Sequence, residues 1–144
     1  MENYEDAAES RFDDLDTLMK VRRKVGAIHF GGIYIECLLK GMICMKYTVT
    51  DSSAFGKWIV DGHERPRPRH VLRSPELQSL LDTLYDDMPD NILEALDFIA
   101  APQGTKYIDY RYIPEDEIEN EIFDQWEERF ISVFSYLEQK KHEL

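Results

Sequence analysis

Polar residues form a line along an otherwise apolar, helix-like stretch in the first third of the chain. At 100° per residue, a band about 60° wide contains Arg22, His29, Ile33, Glu36 and Lys40. A carboxylate, an ammonium and an imidazole on one line could hold a polar ligand if the line faces a cleft or a second subunit. Alternatively, Glu36 and Lys40 form an ion pair on a solvated helix edge, contributing only about 0.3 to 0.5 kcal/mol. The spacing leaves both interpretations open.

A second segment whose side chains could take part in catalysis is the proline-broken run HERPRPRH, which is followed shortly by Arg73. Together they supply four arginines and two histidines against one glutamate. Metal-free RNA cleavage needs a base for the 2′-hydroxyl, an acid for the leaving oxygen and a cation for the phosphate, and histidine and arginine can provide these. The pairs with a short gap are Arg65 with His70, Arg22 with His29, and Arg23 with His29. Such gaps also arise by chance, so the sequence assigns no catalytic residue.

Composition and motifs exclude several function classes. The formal net charge of −12 disfavours general binding to nucleic-acid phosphates, so any anionic ligand must be held locally. There is no P-loop, no G-x-G-x-x-G, no H-E-x-x-H and no cysteine-histidine zinc spacing. We therefore expect no metal and no cofactor.

The chain has the features expected of a soluble, cytoplasmic protein. Its N-terminus is acidic and lacks the basic and apolar regions of a signal peptide. Glu36 and Lys40 interrupt the longest apolar run, so we expect no segment with the roughly 20 apolar residues of a membrane span. Cys37 and Cys44 would lie about 10 Å apart along a helix, which is too far for a disulfide. We expect both to be reduced and buried.

Apolar periodicity predicts one all-α domain over residues 1–144, an up-and-down bundle of about five helices. The predicted helices are Glu5 to Met19, Arg22 to Met45, Ser74 to Tyr85, Asn91 to Ala100, and a last helix opened by Pro114. Ser74 is expected to cap the third helix, and Asn91 with Glu94 resembles a capping box. Between helices two and three, residues 46–74 are expected to form a long loop, and KYIDYRY is expected to be an extended connector.

The second predicted helix has a seam that suits packing along another helix. Its members, spaced alternately by three and four, are Ile28, Gly31, Ile35, Leu38, Met42 and Met45. The adjacent glycines, Gly31 and Gly32, each cost up to about 1 kcal/mol inside a helix. Close approach of a neighbouring element would offset that cost, so we interpret the double glycine as a packing device.

Three segments resemble elements of HEPN domains. AIHFGGIYIECLLKG is similar to the second HEPN helix, RHVL to a G-H-D-L-like segment, and YRYIP to an R-Y-P element before the final helix. The residues that carry the first likeness are Ala27, Gly31, Glu36, Leu39 and Lys40. Order and spacing match from about residue 10 to residue 138. His70 is followed by valine where the family pattern has aspartate.

The HEPN resemblance implies a helical bundle and frequent dimers. The family includes RNA-cleaving toxins, partners of minimal nucleotidyltransferases, and nucleotide-binding or structural members. We therefore expect a noncatalytic binding module that forms a homodimer, binds a nucleotide or an RNA segment, or partners a nucleotidyltransferase. The candidate ligand-binding residues are Glu36, Lys40, His70 and Arg111. Tyrosines 107, 110 and 112 beside Arg111 could stack on a base, or could instead cover one end of the bundle.

Two alternatives to the binding module remain. One is a metal-independent RNase toxin of a toxin-antitoxin or defence system. RNA-cleaving HEPN members resemble one another in an R-x4-6-H motif late in the chain, but after Trp126 the available pair, Arg129 and His142, is thirteen residues apart. The other alternative is a purely structural scaffold for protein partners.

Overall fold

A central helix, α2 (Lys24–Lys46), organises the fold in the computed structural model, which describes residues 3–70 and 72–144. Val71, which belongs to the RHVL segment, lies outside the described residues. Helix α2 packs against α1 (Tyr4–Lys20), α6 (Asn120–Lys141) and a 3₁₀ helix, Tyr107–Tyr112. Because α2 has neighbours around most of its circumference, it is apolar on several faces at once.

The mostly helical class is confirmed. In the described residues, the remaining α-helices are α3 (Pro75–Leu80), α4 (Asp82–Asp86) and α5 (Asp90–Ala100), and further 3₁₀ turns span Pro102–Gly104 and Glu115–Glu117. Ser74 caps α3 as predicted, since its hydroxyl accepts from the Leu77 N–H at 3.1 Å. The predicted third helix is nevertheless broken at Leu81, whose φ and ψ are −116° and 36°.

The predicted long loop is wrong, because residues 46–74 contain a three-stranded antiparallel sheet. Its strands, β1 (Val49–Asp51), β2 (Lys57–Val60) and β3 (His63–Pro66), lie in the order β1-β2-β3. Asp61 and Gly62 join β2 to β3 with φ values of 49° and 83°, the left-handed pair required by a tight hairpin turn. Trp58 and Val60 lie two positions apart on β2, so their side chains share the face that is buried in the core. Asp-Gly beside an alternating strand is a hairpin signal that the loop interpretation overlooked.

Two further local expectations are wrong. The predicted extended connector is the 3₁₀ helix Tyr107–Tyr112, in which a spacing of three places Tyr107 and Tyr110 on the same buried side. Tyr110 is fixed there because its hydroxyl donates to the Pro102 carbonyl at 2.6 Å. Asn91 lies inside α5, which begins after Pro89 and has no side-chain cap, so the capping-box interpretation fails.

The last helix begins later than predicted because Glu115 is engaged elsewhere. Its two carboxylate oxygens accept from the N–H groups of Lys24 and Val25 at 2.7 and 3.0 Å. Those N–H groups belong to the first turn of α2, whose N-cap, Arg23, supplies no side-chain hydrogen bond. The segment that follows Pro114 is therefore a cap for α2, and α6 starts at Asn120.

The double glycine of α2 is a packing device, as predicted. Gly31 lies against the ring of Trp126 and Gly32 lies against the ring of Tyr107, so a methyl group at either position would overlap those rings. The predicted seam is buried except at its end, where Met45 is 51% exposed. The closest approaches around α2 are thus made by aromatic rings against glycine backbone.

By length and composition alone, α2 could cross a membrane, contrary to the expectation drawn from its two charges. However, 61% of its most apolar window is buried inside the fold, as in the core helix of a soluble protein. Neither cysteine forms a disulfide, as predicted, and Cys37 is buried, but Cys44 is only half-buried.

Candidate functional site

Glu36 is a buried carboxylate that accepts hydrogen bonds from three side chains. Its Oε1 lies 2.6 Å from the Tyr107 hydroxyl and 2.7 Å from Nδ1 of His70. Its Oε2 lies 3.1 Å from Nζ of Lys40, one helical turn away. Glu36 is 6% exposed and Lys40 is 5% exposed, so the interpretation as a solvated surface pair is wrong. We call these four residues the Glu36 cluster.

The double glycine makes this arrangement possible. Since Gly32 has no side chain, the Tyr107 ring can lie directly against α2, which brings its hydroxyl to Glu36. Burial raises the pKa of Tyr107 far above its ordinary value, and the negative charge of Glu36 raises it further. The hydroxyl therefore stays protonated and donates to the carboxylate at every ordinary pH.

Lys40 is held between the carboxylate and an aromatic ring. Its Nζ lies 5.6 Å from the centre of the Tyr4 ring, whose hydroxyl accepts from Arg67 at 3.0 Å. Taking an ion pair out of water is unfavourable unless hydrogen bonds satisfy the charges. Here Glu36 has three donors, so its charge is compensated within the cluster.

His70 is the outer member of the Glu36 cluster, because 61% of its side chain is exposed. A carboxylate only accepts hydrogen bonds, so Nδ1 carries the proton that faces Glu36. The other nitrogen, Nε2, lies on the far side of the ring from Glu36. Glu36 thereby fixes the orientation of the ring, and Nε2 accepts a hydrogen bond in the neutral imidazole or donates one in the imidazolium.

The arginines near His70 differ in how they are engaged. Arg65 donates to the Ser79 hydroxyl at 2.8 Å, and Arg73 donates to Asp97 at 2.7 Å. Arg69 is exposed and has no ion pair within residues 3–70 and 72–144. Its Nη2 would lie 3.5 Å from a methyl group placed on Gly56, beside Phe55, which is 99% exposed. Arg69 and His70 are thus adjacent exposed residues that follow β3, with the Arg69 guanidinium beside the β1–β2 connection, and we call this pair the Arg69–His70 edge.

The other predicted site residues lie apart from the Glu36 cluster. Arg111 contacts the Tyr112 ring at 4.8 Å, and Arg22 pairs with Asp124 at 2.7 Å. Nδ1 of His29 lies 3.2 Å from the Tyr107 carbonyl, so it borders the cluster without reaching the carboxylate. The Arg22–His29 candidate pair is therefore divided between different partners, as is the Arg65–His70 pair.

Of the three tyrosines considered for stacking on a base, burial excludes two. Tyr107 and Tyr110 are 1% and 2% exposed, so neither can stack on a base, whereas Tyr112 is 73% exposed. The sequence also missed the role of Tyr107 in the Glu36 cluster. Because 71 positions separate Tyr107 from Glu36, no local spacing could have indicated that contact.

Among the described residues, no group of three or more histidine, cysteine, aspartate or glutamate side chains is arranged to hold a metal ion. Comparison of the chain with known protein families, curated proteins and solved structures finds no match.

Proposed function

We propose that this chain is a HEPN-like, noncatalytic binding module that holds a phosphate of a nucleotide or an RNA segment at the Arg69–His70 edge. The observation that carries the proposal is the 2.7 Å contact between His70 Nδ1 and the buried Glu36 carboxylate. That contact orients an exposed imidazole before any ligand arrives, and in its protonated form the ring would donate its Nε2 N–H to a phosphate oxygen. Groups ordered in advance lose less entropy on binding.

The neighbouring side chains supply the rest of a nucleotide site. Arg69 has a guanidinium that is not paired to a carboxylate among the described residues, and its planar fork matches two phosphate oxygens. Phe55, beside Gly56, exposes nearly its whole ring, which suits stacking on an unpaired base. Because the chain as a whole carries a charge of −12, recognition has to be this local.

Metal-independent RNA cleavage is the second candidate, and the orientation of His70 favours it. Nε2 would take the proton of a 2′-hydroxyl while Arg69 neutralises the phosphate; the 2′-oxygen then bonds to phosphorus as the bond to the 5′-oxygen breaks. The leaving 5′-oxygen also needs a proton. His29, the histidine of α2 that borders the Glu36 cluster, contacts a backbone carbonyl instead of the carboxylate. We therefore prefer binding to cleavage.

The homodimer and the nucleotidyltransferase-like protein partner in this proposal rest on the HEPN resemblance. A cytoplasmic location is supported by two cysteines that form no disulfide. Light scattering on the purified chain tests the homodimer. A monomer that binds no nucleotide or RNA would favour the purely structural scaffold.

Fluorescence anisotropy with labelled AMP and a labelled single-stranded RNA tests the binding site. Arg69→Ala and His70→Ala are expected to weaken binding about tenfold or more, since a hydrogen bond to a charged group contributes about 1.5 to 3 kcal/mol. Arg11→Ala, which changes an arginine of α1 that pairs with Asp14 at 3.6 Å, is the matched control and should leave affinity unchanged. Equal affinity of all three variants would contradict the site, and shortened RNA on a gel, lost in His70→Ala, would favour the nuclease.

A further inference from the structure

A cleft lies on a different face of α2 from the Glu36 cluster. A cleft of about 480 Å³ opens between α1, α2 and α6. No member of the Glu36 cluster lines it, and neither does Arg69. Its volume falls in the range of about 300 to 1,000 Å³ that accommodates small organic ligands.

Aromatic rings form much of the wall of this cleft. Phe12 stacks against Phe134 with ring centres 5.5 Å apart, and Tyr34 contacts both rings at 5.6 and 5.9 Å. Tyr4 lines the same space, together with apolar side chains such as Met42. An aromatic wall offers apolar contact and, through the negative face of each ring, attraction for a cation.

Carboxylates surround the opening of the cleft. Glu5 and Glu9 lie one turn apart on exposed positions of α1, and neither forms an ion pair within the described part of the chain. Glu138 stands opposite on α6, where it accepts from the Tyr34 hydroxyl at 3.0 Å and pairs with Lys141 at 2.7 Å. Lys141 and His142 also line the cleft, so its lining combines an apolar interior with three glutamates against one lysine and one histidine.

We infer that the cleft binds an organic cation with an apolar body, such as a hydrophobic amine. The rings and methyl groups would contact the body, and Glu5 and Glu9 would attract the ammonium group. A second copy of the chain is disfavoured as the occupant because it would bring the same acidic surface and a net charge of −12. This inference does not depend on the nucleotide site.

Titration of the full chain with 4-phenylbutylammonium and with neutral 4-phenylbutanol, followed by amide chemical shifts, tests the inference. The two probes share an apolar body and differ in charge. We expect saturable shifts at residues lining the cleft, with the ammonium bound roughly five- to tenfold more tightly than the alcohol. Shifts spread over the whole surface, or equal affinity for both probes, would overturn the inference.

Variants separate the charge contribution from the packing contribution. The double change Glu5→Gln and Glu9→Gln alters exposed positions only, and it should remove the preference for the ammonium while leaving alcohol binding unchanged. Glu117→Gln with Glu121→Gln, outside the lining, removes the same charge and should preserve the preference. If the Glu5/Glu9 variant instead forms dimers that block both probes, the cleft is an interface between copies and the inference is wrong.

Discussion

Helix α2 presents two contrasting surfaces. On one side, Glu36 and Lys40 are buried and hydrogen-bonded to fixed partners, so their side chains have almost no conformational freedom. On the other side, α2 lines an open apolar cleft, and the charges stay at the rim. Each side has a tyrosine that donates to a glutamate, Tyr107 to Glu36 and Tyr34 to Glu138. The difference teaches that one helix can hold a preorganised polar centre on one face and line an open apolar cleft with another.

Lys40→Met should have the largest effect, because it leaves the Glu36 charge without its cationic partner. Removing one member of a buried ion pair typically costs about 3 to 5 kcal/mol of unfolding free energy. Urea denaturation followed by circular dichroism measures this loss. Lys20→Met is the matched control, since its pair with Asp16 is exposed and the substitution should leave stability unchanged within error. If Lys40→Met loses little unfolding free energy, the buried Glu36–Lys40 pair is not as tightly held as the structure indicates.

Gly32→Ala should have the next largest effect. The added methyl group overlaps the Tyr107 ring, and overpacking of this kind costs about 1 to 3 kcal/mol. The ring must shift, which also lengthens its hydrogen bond to Glu36. Gly41→Ala, on the cleft side, would meet its nearest atom only at 3.8 Å and should raise stability by up to about 1 kcal/mol. Thermal melts of both variants measure the two effects. Equal changes in melting temperature would contradict the predicted difference between the two faces of α2.

Alkaline pH should reduce the free energy of unfolding that Tyr107 contributes on the buried side of α2. The pKa of Tyr107 is raised in the folded state by burial and then by Glu36, so its stability contribution is complete below the unfolded pKa of about 10 and falls as the pH rises further. Tyr107→Phe should therefore be less stable than the parent at pH 8, yet lose less stability between pH 9 and pH 11. Burial and then the charge of Glu138 also raise the pKa of Tyr34. Tyr34→Phe should therefore also lose less stability than the parent between pH 9 and pH 11. Urea titrations at the three pH values measure both, and parallel profiles of parent and variants would count against the mechanism.

Met45→Gln should have the smallest effect. Met45 lines the cleft at the end of α2 and is half exposed, so a polar replacement should change stability by less than about 0.5 kcal/mol. A loss as large as that of Gly32→Ala would mean that the cleft face is buried in solution, for example by a second copy. Chemical denaturation at two protein concentrations distinguishes these cases.

The sequence predicted the long helices well because their apolar periodicity extends over many turns. Ser74 and the double glycine were also recognised correctly, since a cap and a packing glycine leave local signals. The sheet was missed although Asp61-Gly62 signalled its hairpin. The Glu36 cluster was only half predicted: the helical line found Glu36 and Lys40, and the resemblance found His70, but burial depends on Tyr107 arriving from a distant segment. A contact between residues so far apart in the chain leaves no periodic pattern in the sequence from which it could be predicted.

The cap that Glu115 provides for α2 has a consequence for synthesis of the chain. The first turn of α2 emerges from the ribosome early, whereas the carboxylate that satisfies its N–H groups is added 90 residues later. Until then the start of the central helix has no side-chain cap, and its end is free to fray. Completion of the core is thereby tied to translation of the last part of the chain, so a nascent chain halted before Glu115 should expose α2 to protease.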